Sequence, residues 1–274
     1  TSFKEQQNRN IYKYQISGKN METKTKPEVQ VDIRPTGMES AVVYAPFDVA
    51  LDSLTEQGYD VISLPQNSQL RMQRGADAPI SRNGNWTREG ILYVPNGKPR
   101  LVRNSPVLLS AREATECNRN GKEFYPTKEQ IEQALLDSAD FPTENIEIPT
   151  DRFGSDALAV FAFGGEAEAR AYGEFLRNAR IKKMPVCAVD KDYVTKQNQP
   201  FARQMWFRSL DGGSELDGDD RDLDDVNRLR GVKMSAEGTR QNSVGSYDSK
   251  TIAKALKELG LSGLEKGLLE KLKQ

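Results

Sequence analysis

The chain has 274 residues, 36% of them hydrophobic, and its 39 Lys and Arg nearly balance 40 Asp and Glu, which gives a formal net charge of −1 at pH 7. This length can bury the core of one or two domains, and the near-zero charge gives no general attraction to nucleic acid or to an anionic membrane. Histidine is absent from the sequence, which excludes Ser-His-Asp and Cys-His catalysis, zinc sites with His ligands and imidazole acid–base chemistry.

The N-terminal third divides into two parts. Residues 1–37 are polar with little periodic hydrophobicity, and we predict a flexible lead-in there. Residues 38–87 begin with a helical pattern from Pro46 to Gln57. A strand from Tyr59 to Leu64 and a short helix from Gln66 to Gln73 follow. We therefore predict an α/β element at residues 38–87 that packs on the main domain.

A hairpin and two helices are predicted next. The runs Ile91–Val94 and Leu101–Val102 flank an Asn96-Gly97 pair, which is typical of a type I′ turn between antiparallel strands. A helix follows from about Pro106 to Glu116. Thr127 then opens a capping box, which predicts the start of a second helix.

The longest apolar run, Ala157–Phe163, is too short to span a bilayer, and no apolar signal region opens the chain. We therefore expect a cytoplasmic protein without membrane insertion. The run itself indicates a buried strand or the apolar start of the next element. Gly164-Gly165 follows it and precedes a helical pattern at Glu166–Asn178, so a phosphate-binding turn is one interpretation. The G-x-G-x-x-G spacing is missing, which favours an ordinary helix start.

Strands are predicted at Met184–Val189 and Phe201–Phe207, and a short last strand at Arg230–Lys233. Residues 234–274 form a linker and C-terminal helices in this interpretation. From Ser249 onward the pattern is amphipathic, with six Lys against three Glu. Docking on its own domain or self-association is favoured for this tail over a membrane-surface role.

The segment from Arg208 to Arg230 has an unusual composition. Asp, Gly, Ser and Asn fill 13 of its 23 positions, while Lys, Gln, Met and Trp are absent. Its leucines recur every six or seven residues, as expected of apolar anchors beneath a solvated chain; they are Leu210, Leu216, Leu223 and Leu229. Composition alone favours a solvated acidic loop.

Calcium binding is a second interpretation of the same segment, because its many carboxylates are hard oxygen ligands. The EF-hand spacing fails, however. Counting from Asp217, the sixth position is Asp222 rather than Gly; counting from Asp220, the twelfth is Gly231 rather than Glu. We predict no metal and no cofactor, and keep a calcium-dependent, carbohydrate-binding lectin as an alternative.

A third interpretation comes from a resemblance. The sequence Phe201–Leu210, followed by Ser214–Leu216, Gly218 and Arg230–Val232, resembles the variable region of archaeal diversity-generating retroelement proteins, in particular the AvpA-like group of Nanoarchaeota and related archaea. In that family an error-prone reverse transcriptase substitutes the adenines of a template repeat. Asn codons then change to codons for residues such as Asp, Ser, Gly or Arg, but never Lys, Gln, Glu, Met or Trp. Within Arg208–Arg230, Glu215 is the one departure from this filter.

The resemblance implies a C-type lectin fold over residues 88–233, with a variable region at about 208–230. The framework residues that it implies are Trp206, Phe207, Leu210, Leu216, Arg221, Leu223 and Val232. The diversified, ligand-binding positions would be Asp211, Gly212, Gly213, Asp217, Asp219, Asp220, Asp222, Asp224, Asp225, Val226, Asn227 and Arg228.

The predicted fold class is therefore α+β, with a C-type-lectin-like domain, an N-terminal extension and C-terminal helices. The predicted function is non-enzymatic binding of an unknown ligand, a protein or another macromolecule rather than nucleic acid, through a hypervariable surface. The alternatives are the calcium-dependent lectin and a nucleotide-handling enzyme that uses Gly164-Gly165.

Overall fold

The computed structural model describes residues 26–32, 38–219 and 222–234. The strands in these ranges are β1 Gln30–Asp32, β2 Met38–Ala45, β3 Asp60–Val61, β4 Asn85–Tyr93, β5 Arg100–Val102, β6 Ser138–Asp140, β7 Ile146–Pro149, β8 Lys183–Cys187, β9 Phe201–Phe207, β10 Leu216–Asp217 and β11 Asn227–Met234. The α-helices are α1 Phe47–Glu56, α2 Leu64–Arg74, α3 Pro79–Arg82, α4 Pro106–Leu109, α5 Ala111–Arg119, α6 Lys128–Leu135, α7 Ala157–Phe163, α8 Glu166–Asn178 and α9 Lys191–Thr195. Within these ranges, no helix has both the length and the apolar character that a bilayer crossing requires.

All the described strands belong to one mixed sheet. Its main path runs β1-β2-β11-β4-β9-β10-β8-β7, with β3 beside β11 and the β5–β6 pair beside β4. The strand β11 pairs antiparallel with β2 over its whole length, from Asn227 opposite Ala45 to Met234 opposite Met38. The last described strand of the chain therefore lies inside the sheet, between two strands from its N-terminal half.

Aromatic side chains fill the core around the sheet. In one cluster Phe163 of α7 lies 4.7 Å from Tyr172 of α8 and 6.1 Å from Phe207 of β9, measured between ring centroids. In the other, Trp86 of β4 lies edge-on to Phe47 of α1 at 5.2 Å. Both clusters touch β9, so the strand that leads into the Asp-rich segment is fixed by the core.

The apolar run Ala157–Phe163 is a helix, which overturns the interpretation as a buried strand. Asp156 caps its first turn by accepting a hydrogen bond from the Ala159 N–H at 2.9 Å, and Gly164 ends it in the left-handed conformation with φ 94°. A short, wholly apolar run has no periodicity that separates a strand from a buried helix. Because Gly164-Gly165 joins two helices, the strand–turn–helix context of a phosphate-binding turn is missing here.

The predicted hairpin is confirmed as β4–β5, but its turn is not of type I′. The Gly97 N–H donates to the Val94 carbonyl at 2.9 Å, which places Pro95 and Asn96 at the two central positions. Asn96 has φ 58°, so a positive φ follows a proline, as in a type II turn. Proline fixes its own φ near −65°, and this moved the turn one residue ahead of the Asn-Gly pair. The predicted helix at 106–116 is divided at Ser110 into α4 and α5.

Strand β1, Gln30–Asp32, belongs to the same sheet as the other described strands. Strand β1 falls within the stretch predicted as a flexible lead-in, and it pairs antiparallel with β2. The predicted boundary at residue 88 falls inside β4, and the predicted short strand at Arg230–Lys233 is the eight-residue β11. Since β2 and β3 both pair with β11, residues 38–87 share one sheet with the predicted lectin-like domain. The predicted C-terminal helices lie outside the described residues.

Candidate functional site

The Asp-rich segment connects two strands of the sheet, β9 and β11. We divide its described part into a first stretch, residues 208–219, and a second stretch, residues 222–228. Residues 220 and 221 lie outside the part of the chain that the structure describes. Because the segment connects β9 and β11, sheet pairing fixes both of its ends, and its path between them depends on other contacts.

A buried arginine from α2 holds the beginning of the first stretch. Arg71 is fully buried, and its guanidinium lies 3.8 Å from the centroid of the Phe207 ring. It donates to the Arg208 carbonyl at 2.8 Å and to the Ser214 hydroxyl at 3.1 Å. The hydroxyls of Ser214 and Tyr172 share a further hydrogen bond of 2.6 Å. These contacts fold residues 208–214 back onto the core.

Two further contacts hold the short strand β10. The Arg208 guanidinium donates to Asp217 Oδ2 at 2.9 Å and lies 3.2 Å from Glu215 Oε1. The buried Tyr93 hydroxyl donates to the Gly218 carbonyl at 3.1 Å and accepts from the Val189 N–H at the same distance. Side chains of the segment itself, Asp217 and Glu215, therefore take part in holding it.

The first stretch ends on a second buried arginine, Arg203 of β9. Its guanidinium donates to Glu123 Oε1 at 2.7 Å, to the Asp219 carbonyl at 2.7 Å and to the Asp219 carboxylate. The side chains of Arg203 and Glu123 are 6% and 5% exposed. Burial lowers the pKa of Arg203, but hydrogen bonding to Glu123 and the nearby negative charges outweigh it, so the pKa is raised and the cation is retained.

The second stretch is held mainly through its backbone. Leu223 is buried; its carbonyl accepts from the Phe47 N–H at 2.8 Å and its N–H donates to Asn118 Oδ1 at 3.4 Å. The Asn118 amide also donates to Asp224 Oδ1 at 3.0 Å. From Asn227 onward the chain pairs with β2.

The predicted variable positions fall into three groups. Exposed are Asp211, Gly212, Asp219, Asp222, Asp225 and Val226. Half-buried are Gly213, Asp224, Asn227 and Arg228. Asp217 departs from the expectation of outward side chains, because it is buried, and Asp220 lies outside the described residues.

Gly213 is a second predicted variable position where the structure restricts the side chain. It has φ 74°, and an added Cβ would lie 3.0 Å from the Pro185 ring. Both the backbone conformation and the packing therefore favour glycine there.

The predicted framework residues that the structure describes are buried or half-buried. Buried are Phe207, Leu210, Leu216, Leu223 and Val232. Trp206 is half-buried, with its ring centroid 5.4 Å from that of Trp86. Arg221 falls outside the described residues.

The sequence-based predictions did not include the polar anchors, which are Arg71, Tyr93, Asn118, Glu123 and Arg203. One of them did carry a signal. Arg203 stands in the otherwise largely apolar strand Phe201–Phe207, where a charged residue requires a buried partner.

The exposed surface of the segment is acidic. Burial raises the pKa of Asp222, and the like charges of Asp225 and Asp224 raise it further. Burial likewise raises the pKa of Asp219, against the opposing charge of Arg203. Among residues 26–32, 38–219 and 222–234, no group of three or more His, Cys, Asp or Glu side chains is placed to hold a metal ion.

A solved structure with the same architecture has been described under the heading "Accommodation of massive sequence variation in Nanoarchaeota by the C-type lectin fold". It aligns with a TM-score of 0.52 and 14% sequence identity, over 77% of this chain and 99% of that one. The chain has a C-type-lectin-like α+β fold. This confirms the predicted fold class. No family model matches the sequence, and no curated protein is similar to it.

Proposed function

We propose that this protein acts by binding rather than by catalysis. Its ligand would be a protein or another macromolecule, bound at the surface formed by the segment Arg208–Arg230, and a retroelement would diversify that segment by adenine-directed mutagenesis. The observation that carries the proposal is the way the second stretch is held. Its fold depends on the backbone of Leu223 and on sheet pairing, so the exposed side chains of Asp225 and Val226 can change without loss of the fold.

Two further observations support diversification. Every residue of the segment except Glu215 can arise by adenine-directed changes in Asn codons. The Glu215 side chain lies against Arg208. That contact gives Glu215 a structural role and a reason to stay fixed. The Nanoarchaeota protein of similar fold was described for its accommodation of massive sequence variation, a property that we propose for this chain as well.

The charge of the surface indicates which ligand this copy would bind. The exposed carboxylates of Asp211, Asp222 and Asp225 would repel the phosphates of nucleic acid and attract a basic or polar partner. The segment contains no aromatic residue, and aromatic side chains commonly dominate binding energy. We therefore propose a basic macromolecule, bound with modest affinity.

The test of diversification is the gene itself. We expect a near-identical repeat close to the coding region of residues 208–230, together with a reverse transcriptase gene. Codons at the predicted variable positions should differ from the repeat only where the repeat has adenine. Without such a repeat, or with differences scattered over all four bases, the proposed diversification would be wrong.

A pair of libraries tests tolerance independently of the gene. One library randomises Asp222, Asp225 and Val226, and the control randomises Arg71, Arg203 and Asp217. We expect most members of the first library to unfold cooperatively near the melting temperature of the parent, and few members of the control to do so. Equal tolerance in both libraries would contradict the proposed division between variable surface and support.

The calcium-dependent lectin makes a different prediction for the parent protein. A specific calcium site stabilises the folded state by mass action, so the melting temperature would rise with added calcium and fall with chelator. We expect no change in either direction. A calcium-dependent rise would replace the proposed macromolecular ligand by a carbohydrate bound through the metal.

A further inference from the structure

Three arginine side chains lie together where α2 packs against the sheet. Arg71 and Arg74 are three residues apart on α2, so they are neighbours on the helix surface. Burial lowers the pKa of Arg230 of β11 to about 10. The positive charges of Arg74 and Arg71 lower it further, so the three guanidinium groups lie close together. Arg71 is fully buried, and the side chains of Arg74 and Arg230 are each 6% exposed. The cluster therefore holds three cations away from water.

Asp32 of β1 is the one acidic residue that forms ion pairs with this cluster in the part of the chain that the structure describes. Its Oδ2 accepts a hydrogen bond from Arg74 Nη1 and lies 3.9 Å from Arg230 Nη1. The remaining contacts are neutral, since Arg230 donates to Ser40 Oγ at 3.1 Å and Arg71 donates to hydroxyls and backbone carbonyls. Three guanidinium cations beside one carboxylate leave two positive charges without a counter-charge.

Half of the Arg74 guanidinium also lacks hydrogen-bond partners. Its Nε and Nη2 are buried, and neither has a partner among the described residues. These two nitrogens carry the parallel N–H bonds of the side-on fork, which binds two oxygens of a carboxylate or a phosphate. Buried donors on a charged group are costly to leave unpaired. Unpaired donors of this kind in a folded protein point to a water or an ion that binds between the described groups.

A divalent oxyanion fits this site better than water does. A water molecule can accept the two N–H bonds, but it leaves the two positive charges uncompensated, and buried charges are unfavourable without a counter-charge. An anion such as sulfate or divalent phosphate supplies both the oxygen acceptors and the missing charge. Solvent reaches the edge of the cluster, because the Asp32 side chain that contacts Arg74 and Arg230 is 34% exposed.

We propose that this cluster is a binding site for one divalent oxyanion of the phosphate or sulfate class, held by the Nε–Nη2 fork of Arg74 and by the charge of Arg230. The bound anion joins α2 to β11. Arg71 of α2 holds the first residues of the Asp-rich segment, and Arg230 is the last residue of that segment. The anion therefore supports the segment at both of its ends. The site does not depend on the ligand proposed for the exposed surface.

Thermal unfolding of the full chain tests the site, with sodium sulfate and inorganic phosphate as probes. The protein is first dialysed into chloride buffer, and each anion is then added up to about 10 mM at constant ionic strength. At about tenfold its dissociation constant, a bound anion should raise the melting temperature by about 3–5 °C. Acetate, which carries one charge, should raise it by less than about 1 °C. No rise with either sulfate or phosphate would mean that the fork holds water, and the proposal would be wrong.

The matched pair Arg74→Met and Arg100→Met locates the effect. Each variant removes one guanidinium, but Arg100 of β5 is bonded to Asp140 and Ser138 rather than to the cluster. Sulfate and phosphate also stabilise proteins in general, because they are excluded from protein surfaces, and this contribution should be equal in both variants. We expect the specific rise to be kept in Arg100→Met and lost in Arg74→Met. A rise that survives in Arg74→Met, or that is lost in both variants, would overturn the proposal.

Two further variants separate anion binding from a purely structural role of Arg74. Calorimetric titration with sulfate gives the dissociation constant. Arg74→Lys keeps the charge but not the planar fork, and the dissociation constant should rise about tenfold. Asp32→Asn removes the carboxylate that competes for the arginines, and the dissociation constant should fall about tenfold, although the sulfate-free protein is less stable. If Arg74 served only to pair with Asp32, the Asp32→Asn variant would bind sulfate no more tightly than the parent, and that result would contradict the proposed site.

Discussion

The two stretches of the Asp-rich segment both carry three aspartates but are held by different means. In the first stretch, side chains of the segment itself take part: Ser214 and Asp219 accept hydrogen bonds from the buried Arg71 and Arg203, and Asp217 accepts one from Arg208 of the same stretch. The second stretch is held mainly by the burial of Leu223, by the backbone hydrogen bonds of that residue and by the pairing of β11.

We expect this difference to decide where substitutions are tolerated. A backbone hydrogen bond is available whatever the side chain, while a hydrogen bond that a carboxylate accepts from an arginine is lost when the carboxylate is replaced. Aspartates that look alike in the sequence thus have different roles. Asp217 belongs to the support of the surface, and Asp225 belongs to the surface itself.

The largest expected effect follows from removing the cation beneath the first stretch. Arg203→Met keeps most of the side-chain volume but removes the guanidinium from the buried Glu123 carboxylate. Breaking a buried ion pair from one side costs about 3–5 kcal/mol, and we expect a loss of that size in the free energy of unfolding by denaturant.

The control for Arg203→Met is Arg208→Met, since the Arg208 side chain is 49% exposed. Its ion pairs are partly screened by water, and we expect a loss of about 1 kcal/mol. Equal losses in the two variants would remove the distinction between a buried and a half-exposed anchor.

The second prediction concerns pH and the helix that carries Arg71. Glu89 is buried on β4, and its Oε2 accepts the Leu64 N–H at 2.9 Å in the first turn of α2. Burial raises the pKa of Glu89 to about 7 from its usual 4.5, against the lowering effect of that hydrogen bond and of Arg103. The folded state therefore binds this proton more tightly than the unfolded state. The resulting stability is complete below pH 4.5 and is lost as the pH rises through 7.

The measurement is the free energy of unfolding of the parent minus that of Glu89→Gln. This difference should fall by about 3 kcal/mol between pH 4.5 and 7, because one pKa unit corresponds to about 1.4 kcal/mol. The exposed Glu129→Gln variant is the control and should give a nearly constant difference. A flat profile for Glu89→Gln would show that Glu89 is not the group that makes α2 sensitive to pH.

A smaller effect is expected within the first stretch itself. Asp217→Asn keeps the shape of the side chain but removes the charge that faces Arg208, where the hydrogen bonds are 2.9 and 3.3 Å long. We expect a loss of about 1–2 kcal/mol in the free energy of unfolding. If the variant is as stable as the parent, Asp217 belongs with the variable surface after all.

The smallest effect is expected in the second stretch. Asp225→Asn and Val226→Thr change exposed side chains on a backbone that other contacts hold, and each should alter the free energy of unfolding by less than about 0.5 kcal/mol. Val226 is 55% exposed, so its replacement removes little buried surface. Losses as large as that of Asp217→Asn would erase the contrast between the two stretches.

The sequence was informative where local chemistry determines structure. The capping box at Thr127 forms with both of its hydrogen bonds, and the helical periodicities at α1 and α8 were read correctly. The leucine spacing predicted the buried anchors of the segment. The sequence did not predict contacts between residues that are far apart in the chain. Arg71 and Arg208 are 137 residues apart, and nothing near either of them indicates the contact.

Two misjudged elements have related causes. The strand β2 was not predicted, because a strand in the interior of a sheet, buried on both faces, shows no alternation of polar and apolar residues. The helix α7 was open to interpretation as a strand for the same reason. The inward orientation of Asp217 depends on the pairing of β10 with both β8 and β9, which no local pattern reveals.

The pairing of β2 with β11 also affects how the chain folds during synthesis on the ribosome. Arg228 of β11 donates a hydrogen bond to Tyr44 of β2, and the two residues are 184 positions apart in the sequence. Strand β2 is therefore synthesised early, whereas its partner β11 is synthesised only after most of the Asp-rich segment. Contacts of such long range slow folding, and until they form the edges of β2 and β4 stay open to aggregation. Each variant of the segment that the proposed diversification would produce must therefore first allow β11 to pair with β2, before any ligand could select it.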